Sequence, residues 1–83
     1  MPSRRLPRDI DADTLVRALA RLGYRPVRQT GSHIRVRTER DGEHHETIPS
    51  HSPIKVGTLR TILSNIGAHH KLDRDEILDL LGL

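Results

Sequence analysis

The 83-residue chain predicts an α+β fold of order α-β-β-β-α, with an extra short helix at its C-terminus. Three observations carry that prediction. Apolar residues recur at helical spacing at Leu15, Leu19 and Leu22, and again at Leu59, Ile62, Leu63 and Ile66. Between them, Ser32 to Glu39 alternates, with Ile34 and Val36 on one face and His33, Arg35 and Arg37 on the other. Glycine turns at Thr30-Gly31 and Asp41-Gly42 bracket that stretch, so neighbouring strands pair antiparallel. The economical solution is a three-stranded antiparallel sheet with its helices packed on one face.

Residues 1–10, with Pro2, Pro7 and three arginines, read as a flexible basic lead-in. The first helix runs from Asp11 or Asp13 to Leu22. Aspartates suit its N-terminus, and Gly23 is placed to end it. Tyr24 to Gln29 forms the first strand and Ser32 to Glu39 the second. Arg40-Asp41-Gly42-Glu43 marks a hairpin, because Asp-Gly suits a primed turn. The third strand spans His44 to Ile48 and stops at Pro49. The next helix is expected over Gly57 to Ile66, with Gly67 as its stop. A last helix covers Asp73 to Leu81, where Asp73 and Glu76 have capping-box spacing and Leu72 can staple onto Ile77. The whole chain, 1–83, makes one domain.

Size and composition bound the function. One aromatic residue, Tyr24, and no cysteine leave a core of Leu, Ile, Val and Ala without disulfides, consistent with a reducing cytoplasm. No apolar run is long enough to span a membrane, so no membrane partner is expected. Residues 1–40 hold ten arginines, no lysine and four acids, a net +6. Residues 41–83 hold four bases and seven acids, a net −3. Arginine suits bidentate phosphate contacts, although an arginine-rich solvated surface has the same composition.

The chemistry rests on histidine. Gly31-Ser32-His33 puts a group with a pKa near 6.5 at the start of a strand, where it is both exposed and held. His44-His45 and His69-His70 do not have zinc-ligand spacing, and no cysteine motif accompanies them, so neither metal nor cofactor is expected. Ser32 adjoins His33, but strand neighbours diverge, which disfavours a hydroxyl nucleophile activated by that base. RNA brings its own nucleophile, the 2′-OH. One positioned histidine with arginines and backbone N–H groups then suffices for proton transfer and charge stabilisation. The alternative is a polar histidine on a wet sheet face beside arginines that only bind phosphate, or bind nothing.

Gly23-Tyr24, Arg28-Gln29-Thr30-Gly31-Ser32-His33, Ile48-Pro49-Ser50-His51 and Lys55-Val56-Gly57-Thr58-Leu59-Arg60-Thr61-Ile62-Leu63 together resemble the HicA (YcfA-like) toxin family. The resemblance covers about Thr14 to Ile66. It implies a double-stranded-RNA-binding-like fold, cleavage of single-stranded or structured mRNA, and a HicB-type antitoxin that blocks the active site in a hetero-oligomeric complex. It assigns the catalytic role to His33, with Gly31 and Ser32 completing the motif. Arg28, Arg35, Arg37, His51 and Lys55 are candidate substrate contacts. For His51 a turn-stabilising hydrogen bond is favoured over a substrate contact, and Lys55 is equally placed to lie solvated at a helix start. The rivals are a non-catalytic RNA-binding module and an inactive relative kept for its antitoxin complex.

Two departures from the family stand out. Glu46 occupies an inward position of the third strand that is usually apolar, so it must lie at the sheet edge, pair with an arginine or shift the register. Residues 68–83 carry His69-His70-Lys71 and a leucine-rich helix that could cap the core or dock on a partner, core capping being favoured by its amphipathic spacing.

Overall fold

The computed structural model describes residues 4–83. Its first helix, α1 (Ala12–Leu19), starts where the Asp11 carboxylate accepts the Thr14 N–H at 2.8 Å. The hydrogen bond holds the Asp11 carboxyl below its ordinary pKa. The last expected turn tightens to a 3₁₀ turn, Ala20–Leu22, and Gly23 ends it with φ +82°. A side chain at Gly23 would meet Thr38 Oγ1 at 2.7 Å, so glycine is required there by space as well as by φ.

Strands β1 (Arg25–Thr30), β2 (His33–Thr38) and β3 (His44–Pro49) form one antiparallel sheet in the order β1-β2-β3. The expected boundaries shift by a residue or two. Gly31-Ser32 is a two-residue turn joining Thr30 to its partner His33, with Gly31 at φ +52°. Asp41 and Gly42 both take positive φ, but they sit in a longer connection, Glu39 to Glu43, closed by the Gly42 N–H on the Glu39 carbonyl. The alternation of β2 holds. Ile34, Val36 and Thr38 are buried, while His33 and Arg35 are exposed.

A bulge between Pro26 and Arg28 resets β1. Uninterrupted pairing from the turn would place Val27 opposite Val36. Instead Pro26 pairs with Val36, Val27 is left half-exposed, and the alternation carries Tyr24 into the core at 2% exposure.

Helix α2 (Val56–His70) is four residues longer at its C-terminus than expected. Gly67 is not its stop. It is the place where the Leu72 carbonyl and Ile77 Cδ1 come within 2.7 Å of where a side chain would begin, so glycine serves the close approach of the next segment. The helix ends at Lys71, which takes the left-handed conformation (φ +59°). Helix α3 (Arg74–Leu81) has the expected capping box. The Asp73 carboxylate accepts the Glu76 N–H at 2.8 Å, and Glu76 accepts the Asp73 N–H at 2.9 Å.

Leu15, Leu19, Leu22, Ile34, Val36, Ile48, Leu59, Ile66, Ile77 and Leu78 belong to one buried cluster, with α1 and α2 packed on the inner sheet face and α3 packed against α2 and the 3₁₀ turn. α3 caps that core through Ile77, Leu78 and Leu81. Residues 4–10 form no helix or strand. Leu6 is nonetheless buried, and Arg4 bonds Asp75, Asp79 and the Leu83 carbonyl.

Candidate functional site

His33 opens the central strand, so its backbone is paired on both sides, to Thr30 and to Pro49. The turn before it is fastened to the chain beyond β3, where the Ser50 N–H donates to the Ser32 carbonyl at 2.6 Å. The side chain therefore projects into solvent from a rigid support. It lines a shallow cleft of about 250 Å³ with Arg28, Thr30, Arg35 and Thr47. All five residues lie on the outer sheet face. Arg28 is the direct partner of Arg35, and Thr47 flanks Arg35 from the other side. Two like charges face each other across β1 and β2, and among the described residues neither arginine is in a salt bridge. An anion between them would turn that repulsion into attraction.

The sequence candidates divide into three groups. Arg28, His33 and Arg35 meet in the cleft, with Gly31 and Ser32 forming the turn above it. Arg37 shares the outer face, but its guanidinium is held by Glu39 at 3.0 Å and Glu43 at 3.3 Å. Glu43 and then Glu39 push the Arg37 pKa up, while His45 first and Arg37 second hold the Glu43 carboxyl below its usual range. His51 and Lys55 are not in the cleft. His51 lines a separate hollow with Asp11, Asp13, Ser50 and Ser52, and Lys55 is the exposed residue preceding α2. The sequence reading missed Thr30 and Thr47. Period-two alternation finds Thr47 only once the β2–β3 register is known.

Histidines that the sequence set aside as unsuitable chelating pairs come together elsewhere. His44 and His69 stack with ring centroids 4.6 Å apart. The Tyr24 hydroxyl bridges His44 Nδ1 at 2.6 Å and His70 Nε2 at 3.2 Å. His70 Nδ1–H donates to Asp41 at 2.9 Å, which keeps the Asp41 carboxyl below its ordinary pKa. His69 Nε2–H donates to the carbonyls of Gly42 and Arg40. With His70 neutral, its Nε2 accepts from Tyr24, and His44 Nδ1–H donates to the Tyr24 oxygen, so every group is satisfied. Burial first, then the neighbouring His69 and His70, depress the His44 pKa. Burial and Glu46 raise that of Tyr24. Among the described residues, no group of three or more His, Cys, Asp or Glu side chains is placed to hold a metal ion.

Glu46 keeps the register and pairs with Val36, on the edge strand of the sheet. It is half-buried, and desolvation raises its pKa. The Asn65 side chain, the Thr47 N–H and Arg35 pull it partly back.

A model of the HicA toxin of bacterial toxin–antitoxin systems matches residues 12–68. The chain belongs to the HicA toxin family. That match spans α1, the whole sheet and most of α2, and so includes every residue of the cleft. No curated protein and no solved structure matches the chain. Membership in the HicA family implies an antitoxin partner. The match ends at residue 68, so His69, His70 and α3 lie outside it. Among the described residues no helix is long and apolar enough to cross a membrane.

Proposed function

We propose that this HicA-family toxin is an endoribonuclease that cleaves mRNA in the cytoplasm without a metal ion, using His33 as its single catalytic histidine. The observation that carries the reading is His33 on a rigid strand start in a cleft shared with Arg28 and Arg35. The RNA 2′-OH attacks the adjacent phosphorus, and the bond to the 5′ oxygen of the next nucleotide breaks. The products are a 2′,3′-cyclic phosphate and a 5′-hydroxyl. His33 either takes the 2′-OH proton or supplies one to the departing oxygen, water handling the other proton, and the two arginines neutralise charge on the pentavalent phosphorus. Gly31 and Ser32 hold the turn. Arg37 supports the face from its ion pairs, and His51 and Lys55 contact RNA only where it extends past the cleft. A HicB-type antitoxin covers this basic face and blocks the cleft in a hetero-oligomeric complex.

The test compares wild type and His33→Ala on RNA in excess EDTA, beside growth arrest in cells. Cleavage by the wild type persists in EDTA, and the variant is slower by about 10²–10⁴-fold, the usual contribution of a positioned acid or base. Binding without cleavage by the wild type supports the module that only binds RNA. Full toxicity of His33→Ala removes His33 from the catalytic role.

A further inference from the structure

A chain of hydrogen bonds crosses the outer sheet face and ends on one arginine of the cleft. Glu39 and Glu43 hold Arg37. Glu43 Oε2 lies 2.7 Å from His45 Nε2, and Arg35 Nε–H donates to His45 Nδ1 at 3.3 Å. The proton positions follow from chemistry. A guanidinium only donates, so His45 Nδ1 is an acceptor and the ring proton sits on Nε2, directed at the Glu43 carboxylate. The His45 ring thus turns its acceptor nitrogen to Arg35 and its N–H to Glu43, on an edge strand directly opposite Arg37.

We infer that His45 is a positioning residue that holds Arg35 in the cleft for an RNA phosphate. The inference rests on the ribonuclease reading of His33. Arg28 and Arg35 repel each other across β1 and β2, and His45 anchors Arg35 from the β3 side. With Nε occupied, the four N–H bonds of the two terminal nitrogens remain for two phosphate oxygens. The charged groups facing His45 are Arg35, Arg37 and Glu43, with His44 adjacent on β3.

The experiment uses the full chain with His45→Leu, His45→Gln and Arg35→Ala, singly and combined. Readouts are single-turnover cleavage of a mixed-sequence oligoribonucleotide, affinity for its uncleavable 2′-O-methyl form, and the NMR signal of Arg35 Nε–H. His45→Leu slows cleavage about tenfold in the wild-type background and has no further effect on Arg35→Ala, since misplacing a phosphate contact acts only through that contact. Glutamine keeps one acceptor and one donor, so His45→Gln stays within about twofold of wild type. The Nε–H signal is protected from exchange in wild type and His45→Gln and exposed in His45→Leu. Equal effects of His45→Leu with and without Arg35 overturn the inference, as does a Nε–H signal unchanged in that variant. If the wild type does not cleave RNA, the ribonuclease reading has failed. The same cycle read on the 2′-O-methyl oligonucleotide and on Nε–H then decides the positioning role by itself.

Discussion

Replacing Tyr24 by phenylalanine removes one oxygen and leaves the ring in place. That oxygen is the bridge between His44 Nδ1 at 2.6 Å and His70 Nε2 at 3.2 Å. The His70 side chain is 1% exposed, so water cannot replace the lost partner. An ordinary hydrogen bond contributes about 1 kcal/mol net, and a buried nitrogen left without a partner costs about 1–3 kcal/mol. We therefore expect Tyr24→Phe to lose about 2–3 kcal/mol of stability. In a domain of this size that lowers Tm by roughly 10–20 °C. The chain has no tryptophan, so the assay is urea unfolding followed by far-UV circular dichroism at pH 7.5. The midpoint should fall with the slope unchanged. A loss under about 0.5 kcal/mol would refute the argument, because it would mean that the hydroxyl satisfies nothing that is otherwise inaccessible.

Three further outcomes follow from the same geometry. Glu46→Leu should raise stability at pH 7.5 by about 1 kcal/mol, since a half-buried carboxylate whose pKa is raised by desolvation is replaced by an apolar side chain beside Val36; urea midpoints check it. Gly67→Ala should cost about 2 kcal/mol or more in the same assay, because the new Cβ meets the Leu72 carbonyl and Ile77 Cδ1 at 2.7 Å and only one of those is a movable side-chain end. The pH dependence has a defined sign at His44. Its folded pKa lies below the ordinary 6.5, so the unfolded chain binds more protons between the two values, and stability falls as pH drops through that window. Glu46 acts oppositely, its raised folded pKa removing stability as pH rises above 4.5. The His44 effect is thus read most cleanly in the Glu46→Leu background between pH 7.5 and 5.5, where a flat or rising profile on acidification would contradict it.

What could be read in advance was local in origin. The period-two run around Ile34 and Val36 placed His33, Arg35 and Arg37 on the outer face, and all three are there. The capping box at Asp73 and Glu76 and the left-handed Gly23 depend only on a few neighbouring residues. Gly67 misled because a glycine after an apolar helix signals a stop equally well whether it ends the helix or admits a neighbouring carbonyl. Arg37 looked like a free phosphate ligand because Glu39 and Glu43 fold back onto it only when the connection between β2 and β3 is built.

The sequence by itself determined the order of elements, the strand that carries His33, and the face on which it lies. Those follow from side-chain periodicity and from backbone angles that only certain residues adopt. The tertiary structure decided which of the candidate residues share a cleft, and it brought Thr47 and His45 to the arginines. It also built the buried set of Tyr24, Asp41, His44 and His70, whose partners stand 20 to 46 residues apart in the chain. No local rule connects such distant groups. They meet because the bulge at Val27 turns Tyr24 inward and the extended α2 delivers His70 to the same point.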